Sequence, residues 1–507
     1  MADATYTPSP ISRYAGNPLI EALPPVLSDI EVIERLEHYP QVLEQERRLP
    51  AKERMPCALA LYDVFQPTPF HLKLERVLSA ILREGYHGRN PFDPATLAHS
   101  HYLATQGRDG VPPPHPRKLT ARSMFATGLS RMGKTRGIER ILSLYPQVIQ
   151  HTRYGNQPLP LTQVTWLKVS TPKNGSLREL GLAFFTALDD LFGGDQFASQ
   201  AMRKAPQGDT SLLPLVCKRV RELNLGVLVV DELQRLSLVR SQGKTAIQKF
   251  LHSLIDEVGI PVVFIGTYQA YEIFSGSLQE TARIAGSGSY ELKRPDRGSE
   301  EWGFLVETLW KFQWLEHPTP LEPAIIDLLY DLTQGVTEIL VTLLVLSQWR
   351  AMLSGKECLD EEVLRETSEK ELGLLKAPLE ALASGDPDQI GNYEDLVPNI
   401  DLRGDLARNA YEGTLKLAID RAVREAIDER SSSGSPSPKA RQQAGDENGK
   451  ASVSEKVAPQ DPADLRNLAD QPDVLRELAK RGMLLTFPTA SDPALKPGDG
   501  VPESNED

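Results

Sequence analysis

The sequence predicts an α/β fold: a parallel sheet covered by helices, followed by an all-helical domain and a disordered tail. Three observations carry this. Between Ser123 and about Leu292, short apolar runs alternate with amphipathic stretches, as strands alternate with covering helices. From Ser299 to about Leu382 the strand-like runs stop and apolar residues recur only at helical spacing. From Ser431 to Pro462 the composition (SSSGSPSPKARQQAGDENGK and onward) cannot bury a core.

Taken in order, residues 1–117 are proline-rich with loop-like edges and a helical centre around Thr68–Arg83. The apolar runs place strands at Ser123–Thr127, Val164–Val169, Val227–Val230 and Val262–Gly266. Helices are expected at Leu177–Phe192, Leu212–Leu223 and Ala246–Val258, the last closed by a Gly259-Ile260-Pro261 turn that launches the next strand. The α/β domain thus covers 118–298 and the helical lid domain 299–392. In the lid, Trp302, Leu305, Leu309 and Phe312 share one face, and Ile325, Leu328, Leu329 and Leu332 another. Ile339–Met352 is apolar on nearly every face, which predicts a helix buried between the others. A charged helical extension (393–430) and the linker (431–462) lead to a tail over 463–507. Leu465, Leu468, Val474, Leu475 and Leu478 restore a helical pattern there, as in a docking peptide on a tether.

At 507 residues the chain exceeds one core, and about two or three folded units are expected. With 40% hydrophobic and 25% charged residues it reads as a soluble globular protein. No apolar run is long enough for a membrane span, and Met1–Ile20 lacks a secretory pattern. Cys57, Cys217 and Cys358 lie far apart, suggesting neither a disulfide framework nor a zinc cluster. A cytoplasmic protein without a membrane partner is the expectation. The net charge of -13 argues against a uniformly basic coat, but a local basic surface in a ring or filament can still contact double-stranded DNA.

The chemistry begins in SMFATGLSRMGKTRGIERILSLY, residues 123–145, where Gly128, Gly133, Lys134 and Thr135 fit G-x-x-x-x-G-K-[ST]. Glycines let backbone N–H groups converge on phosphate oxygens, and the following helix N-terminus reinforces them. Lys134 would neutralise the β/γ-phosphates of ATP, and the Thr135 hydroxyl would ligate Mg²⁺. The four fixed positions arise by chance in roughly two of a hundred chains this long, so the strand before and amphipathic helix after them matter. About a hundred residues later, LGVLVVDELQRL (225–236) reads as a buried strand delivering two carboxylates to the phosphate site. Asp231 would hold the magnesium through water and Glu232 would orient the attacking water.

Thr267 ends the next strand, where AAA+ ATPases sense the γ-phosphate. Arg283, in QETARIAGSG (279–288), is the best candidate for an arginine finger, which implies a homo-oligomer with shared sites. Lys173, Arg178, Arg240 and Lys244 lie on connections beside the core and are candidate DNA contacts, with His115-Pro116-Arg117-Lys118 a similar basic step.

Several stretches in order give the chain a specific resemblance. They are Gly16–Pro25 (GNPLIEALPP), Gly85–Pro91 (GYHGRNP), the P-loop followed by Tyr145–His151 (YPQVIQH), and Asn174–Leu177 (NGSL). Val227–Ser237 (VLVVDELQRLS), Gly259–Thr267 (GIPVVFIGT) and Gln334–Val336 (QGV) continue them, and Leu475–Leu484 (LRELAKRGML) is a weaker echo. On these the chain resembles TnsC, the AAA+ regulator of transposons that use a TnsA/TnsB transposase. The resemblance implies ATP-dependent assembly as a ring or filament on DNA. It also implies coupling of a TnsD or TniQ-like target selector to TnsA and TnsB, and release on hydrolysis. Gly128, Gly133, Lys134 and Thr135 would be Walker A, Asp231 and Glu232 Walker B, Thr267 the first sensor and Arg283 the finger. The tail after Pro462 would engage TnsA, and residues 1–117 would face the selector. Two departures stand out: the P-loop spacers Leu129-Ser130-Arg131-Met132, where relatives carry smaller residues, and the absence of a second-sensor arginine near Gly335. Alternatives are an AAA+ initiator or helicase loader of another pathway, and a nucleotide-gated scaffold with little hydrolysis.

Overall fold

In the computed structural model the described residues are 1–94, 96–97, 121–173, 176–204, 212–238, 253–270, 285–386, 389–390 and 393. The chain divides into two compact units, Met1–Leu402 and Arg403–Asp507; the second, with the linker and tail expected there, lies outside the described residues.

The N-terminal segment folds through short helices after a two-residue strand β1 (Ala2–Asp3): α1 (Pro18–Glu21), α2 (Asp29–Leu36), α3 (Glu44–Arg47), α4 (Ala51–Ala58) and the longer α5 (Pro69–His87). Local chemistry sets their starts. Asn17 caps α1, with Pro18 in the first turn where no N–H is missed. Ser28 and Glu31 form a reciprocal capping box on α2, and on α5 the Thr68 N–H donates to His71 Nδ1 at 3.0 Å. The sequence expectation for this region was loops around one helix. Its many prolines instead mark helix starts, as Pro18 and Pro69 show.

The central sheet holds β2 (Met124–Gly128), β5 (Trp166–Ser170), β6 (Val227–Asp231), β7 (Val262–Ile265) and β8 (Ser289–Leu292). The order is β5-β6-β7-β2-β8, and every pairing is parallel. Alternate residues serve the two faces. Met124, Ala126, Val227, Val229, Val263 and Ile265 join one core, with the N-terminal helices, α6 (Lys134–Ser143) and the helical domain. Phe125, Leu228, Val230, Val262 and Phe264 join a second. That core is closed by α7 (Leu177–Phe192) and α9 (Leu212–Glu222), with α8 (Gln196–Lys204) between them in the chain.

Two features were not foreseen. The expected strand Val164–Val169 divides at Thr165. Val164 ends β4 (Gln157–Val164), which pairs antiparallel with β3 (Val148–Tyr154), whereas Trp166 opens β5 in the other sheet. The cause is a hairpin closed by Gly155-Asn156, with Gly155 at φ +55°, forming a small sheet β1-β3-β4. The second is β8, a sheet-edge strand too polar to stand out as an apolar run. Of the helix expected at Ala246–Val258, the described part, Ser253–Val258, is a single π-helical turn.

The helical domain comprises α10 (Glu300–Trp310), α11 (Pro323–Thr333), α12 (Thr337–Ser354), α13 (Glu361–Glu371) and α14 (Lys376–Ser384). Helix α12 buries residues around most of its circumference, as its sequence predicts. Arg54 of α4 ties this domain to the N-terminal segment. Its guanidinium forks onto Glu357 at 2.8 and 2.6 Å and donates to the Trp314 carbonyl at 3.2 Å. At the amino ends of the strands, α5 is wedged in place. The Tyr86 hydroxyl donates to Asn224 O (3.0 Å), Arg89 Nη1 to Leu225 O (2.7 Å), and Asn17 Nδ2 to Tyr86 O (2.9 Å). The GNPLIEALPP and GYHGRNP stretches are thus one joint between the N-terminal segment and the sheet.

Candidate nucleotide site

Strand β2 leaves the sheet at Gly128, whose φ is +148°; a Cβ there would stand 2.4 Å from Leu292 O of β8. Only glycine lets the chain turn that close to its neighbour. The loop ends at Gly133, φ +91°, directly before the first turn of α6. That turn presents unsatisfied N–H groups and a positive dipole end toward the loop. The spacers divide by direction: Leu129 and Met132 are buried in the core, while Arg131, at φ +62°, is exposed. Met132 therefore anchors the loop rather than lining its hollow. Lys134 Nζ donates to the carbonyls of Gly128 (2.9 Å) and Leu129 (2.6 Å), inside the curve of the loop.

Asp231 ends β6, one strand removed from β2, with β7 between. It is buried, and its Oδ1 accepts from Thr135 Oγ1 at 3.3 Å and from Glu232 N at 2.8 Å. Lys168 Nζ of β5 lies 3.8 Å from Oδ2 and also pairs with Glu139. A hydroxyl and a carboxylate in contact are the hard oxygen donors a magnesium ion takes, and they fit that ion. Glu232 sits at φ +58°. Its Oε2 accepts from Gln234 Nε2 at 2.9 Å and lies 3.4 Å from Arg235, whose Nη1 is held by Thr171 O at 2.9 Å. Thr267, just past β7, is buried with no hydrogen-bond partner for Oγ1 among the described residues, and the same holds for Thr127 Oγ1 at the end of β2. Buried hydroxyls of this kind are costly unless a ligand or water completes them.

The structure therefore brings Gly128, Gly133, Lys134, Thr135, Asp231, Glu232 and Thr267 to one edge of the sheet. Lys173 is exposed in the loop after β5 at that same edge, and Arg178 is half-buried in the first turn of α7. Arg283, Arg240, Lys244 and the 115–118 basic step lie outside the described residues.

Sequence reasoning missed the contacts made by the helical domain. No arginine stands in the first turn of α12 after Gly335; there Glu338 accepts from Arg131 Nη1 at 2.7 Å, and its N–H donates to Arg131 O at 3.2 Å. The Tyr62 hydroxyl donates to Thr342 of α12 at 3.1 Å while its carbonyl accepts from Arg136 of α6. Gln234 was read only as part of a strand-end motif. Its hydrogen bonds to Glu232 and to Thr267 N had no signal beyond its place two residues after Glu232.

Residues 117–274 match the AAA domain family, and the loop, the two carboxylates and β7 all fall inside the matched stretch. No curated protein matches the chain. Among solved structures, the Cdc6p of Pyrobaculum aerophilum is similar at 13% identity over 70% of this chain and 87% of that one, with a TM-score of 0.37. A Walker-type ATPase of Pyrococcus abyssi is similar at 15% identity over 53% and 72%, with a TM-score of 0.33. A RuvB variant of Thermotoga maritima is similar at 12% over 58% and 77%, with a TM-score of 0.29. The family match and the P-loop edge of a parallel sheet define the fold class: an AAA+ P-loop fold followed along the chain by helices.

Proposed function

We propose that this chain is an ATP-dependent regulator of DNA transposition. It oligomerises on target DNA and couples a TnsD or TniQ-like selector to the TnsA/TnsB transposase, and hydrolysis disassembles it. The observation that carries the nucleotide part is the meeting of Thr135 with Asp231 beside Lys134 and Glu232 at one sheet edge. The transposition part rests on the ordered resemblance to TnsC, whose N-terminal stretches form the joint at Tyr86 and Arg89.

In this reading Lys134 and the amides of α6 would bind the phosphates, and Thr135 and Asp231 would hold Mg²⁺, which would supply charge neutralisation for the phosphates. Glu232 orients water and accepts its proton, and Thr267 offers a buried hydroxyl beside the loop. Arg283 of a neighbouring copy completes the site, while Lys173, Arg240 and Lys244 face DNA phosphates. Residues 1–117 meet the selector and 463–507 the transposase.

The test is imaging and sedimentation of the full chain on duplex DNA with a non-hydrolysable ATP analogue. Rings or filaments that require the analogue and vanish in Lys134→Ala are expected. Assembly that ignores nucleotide would refute the switch. Failure of assemblies to retain TnsA and TnsB would refute the transposase coupling.

A further inference from the structure

One side chain spans the two groups that the hydrolysis reading needs to act together. Gln234 lies in the 3₁₀ turn Leu233–Leu238 that follows Glu232. Its Nε2 donates to Glu232 Oε2 at 2.9 Å, and its Oε1 accepts from Thr267 N at 3.2 Å. The approach requires a bare backbone on the far side. A Cβ on Gly266 would stand 3.2 Å from Gln234 Oε1 and 2.8 Å from Ala270 Cβ. Both contacts to the carboxylate, from Gln234 and from Arg235, fall on Oε2. Among the described residues Oε1 of Glu232 takes no hydrogen bond. Arg235 is itself held by Thr171 O, so the carboxylate is restrained from two directions.

We propose that Gln234 is a positioning residue for hydrolysis. Its amide fixes the rotamer of Glu232 and ties that rotamer to the backbone of Thr267. A ligand contact at the end of β7 is then felt at the water-orienting carboxylate through one amide. No proton passes through Gln234. It acts only on where Glu232 points, and small misplacement of such a group is expensive in rate. The inference deepens the ATPase reading and rests on it.

The test uses the full chain on DNA, with steady-state ATPase, binding of a fluorescent ATP analogue and thermal unfolding measured side by side. Gln234→Leu removes both hydrogen bonds. Gln234→Glu keeps the acceptor for Thr267 but sets a second carboxylate against Glu232. Both variants are expected to lose about tenfold or more in kcat, with KM, analogue affinity and melting temperature close to wild type. An unchanged kcat in Gln234→Leu overturns the proposal. Wild-type kcat in Gln234→Glu overturns the part assigned to the Glu232 contact. A loss shared by kcat, affinity and melting temperature overturns it in favour of a purely structural role. Wild-type protein that turns over no ATP refutes the parent reading, and is distinguishable because no variant is then needed to see it.

Discussion

At the amino end of the central sheet, glycine is required by what stands next to it. A Cβ on Gly226 would lie 2.3 Å from Thr165 O, and one on Gly85 would lie 2.6 Å from Pro261 Cδ. At the carboxyl end the demand is mixed: a Cβ on Gly128 would lie 2.4 Å from Leu292 O, whereas Gly133 meets nothing within 4 Å and is required by its own left-handed backbone. Side chains divide more cleanly. Tyr86, Arg89 and Asn17 are buried or half-buried and donate to main-chain carbonyls, fixing one element on another. Arg131 and Glu338 are exposed side chains whose partner is each other. One end is built on buried contacts and the other carries exposed ones, so stability and nucleotide chemistry should separate under mutation.

The largest effect is expected from Lys134→Ala. ATP hydrolysis should fall between about 100- and 1000-fold while thermal stability is retained, since the removed charge serves phosphate. A matching loss of melting temperature would erase the distinction between the ends.

Next comes pH, through His71, which packs beneath the P-loop helix. Burial pushes its pKa down to about 4 from the ordinary 6.5. Above pH 6.5 neither folded nor unfolded chain binds this proton. As pH falls from 6.5 to about 4 the unfolded chain takes it and the folded one does not, so stability drops. The full loss is about 3 kcal/mol. Urea unfolding across that range should show the slope, and His71→Gln should flatten it.

Gly226→Ala, at the amino end, should cost roughly 1–3 kcal/mol because the obstacle is a backbone carbonyl that cannot move aside. Analogue affinity of the folded fraction should be unchanged; a lost affinity would show that the ends are coupled.

The smallest effect is expected at Arg131 and Glu338. The pair is exposed and contributes less than about 1 kcal/mol to stability. Glu338→Gln should tighten ATP binding by about threefold, because the carboxylate no longer competes with phosphate for Arg131. The reversed pair, Arg131→Glu with Glu338→Arg, should restore domain contact without restoring that affinity.

These particulars also show why parts of the molecule were readable in the sequence. VLVVD and VVFI are strands buried on both faces, so their apolar runs announce them. The sheet-edge strand SYEL has no such run. The hairpin at Gly155-Asn156 carried a turn signal, but its strands contain prolines and polar residues that hide the alternation. The P-loop was legible because phosphate chemistry fixes residue types at fixed spacing. The roles of its spacers were not, since Met132 answers to the core and Arg131 to a residue 207 positions away.

Helix α5 touches the P-loop helix and the amino end of the sheet at once. Near its start His71 presses on α6, where a Cβ on Gly137 would come within 2.5 Å of the imidazole. Near its end Gly85 presses on Pro261. Nineteen residues make a rod about 28 Å long with a bearing at each tip. Any tilt of the P-loop helix must slide along that rod or swing it. A swing would carry Tyr86 and Asn17 with it, placing the far side of the sheet within mechanical reach of the phosphates.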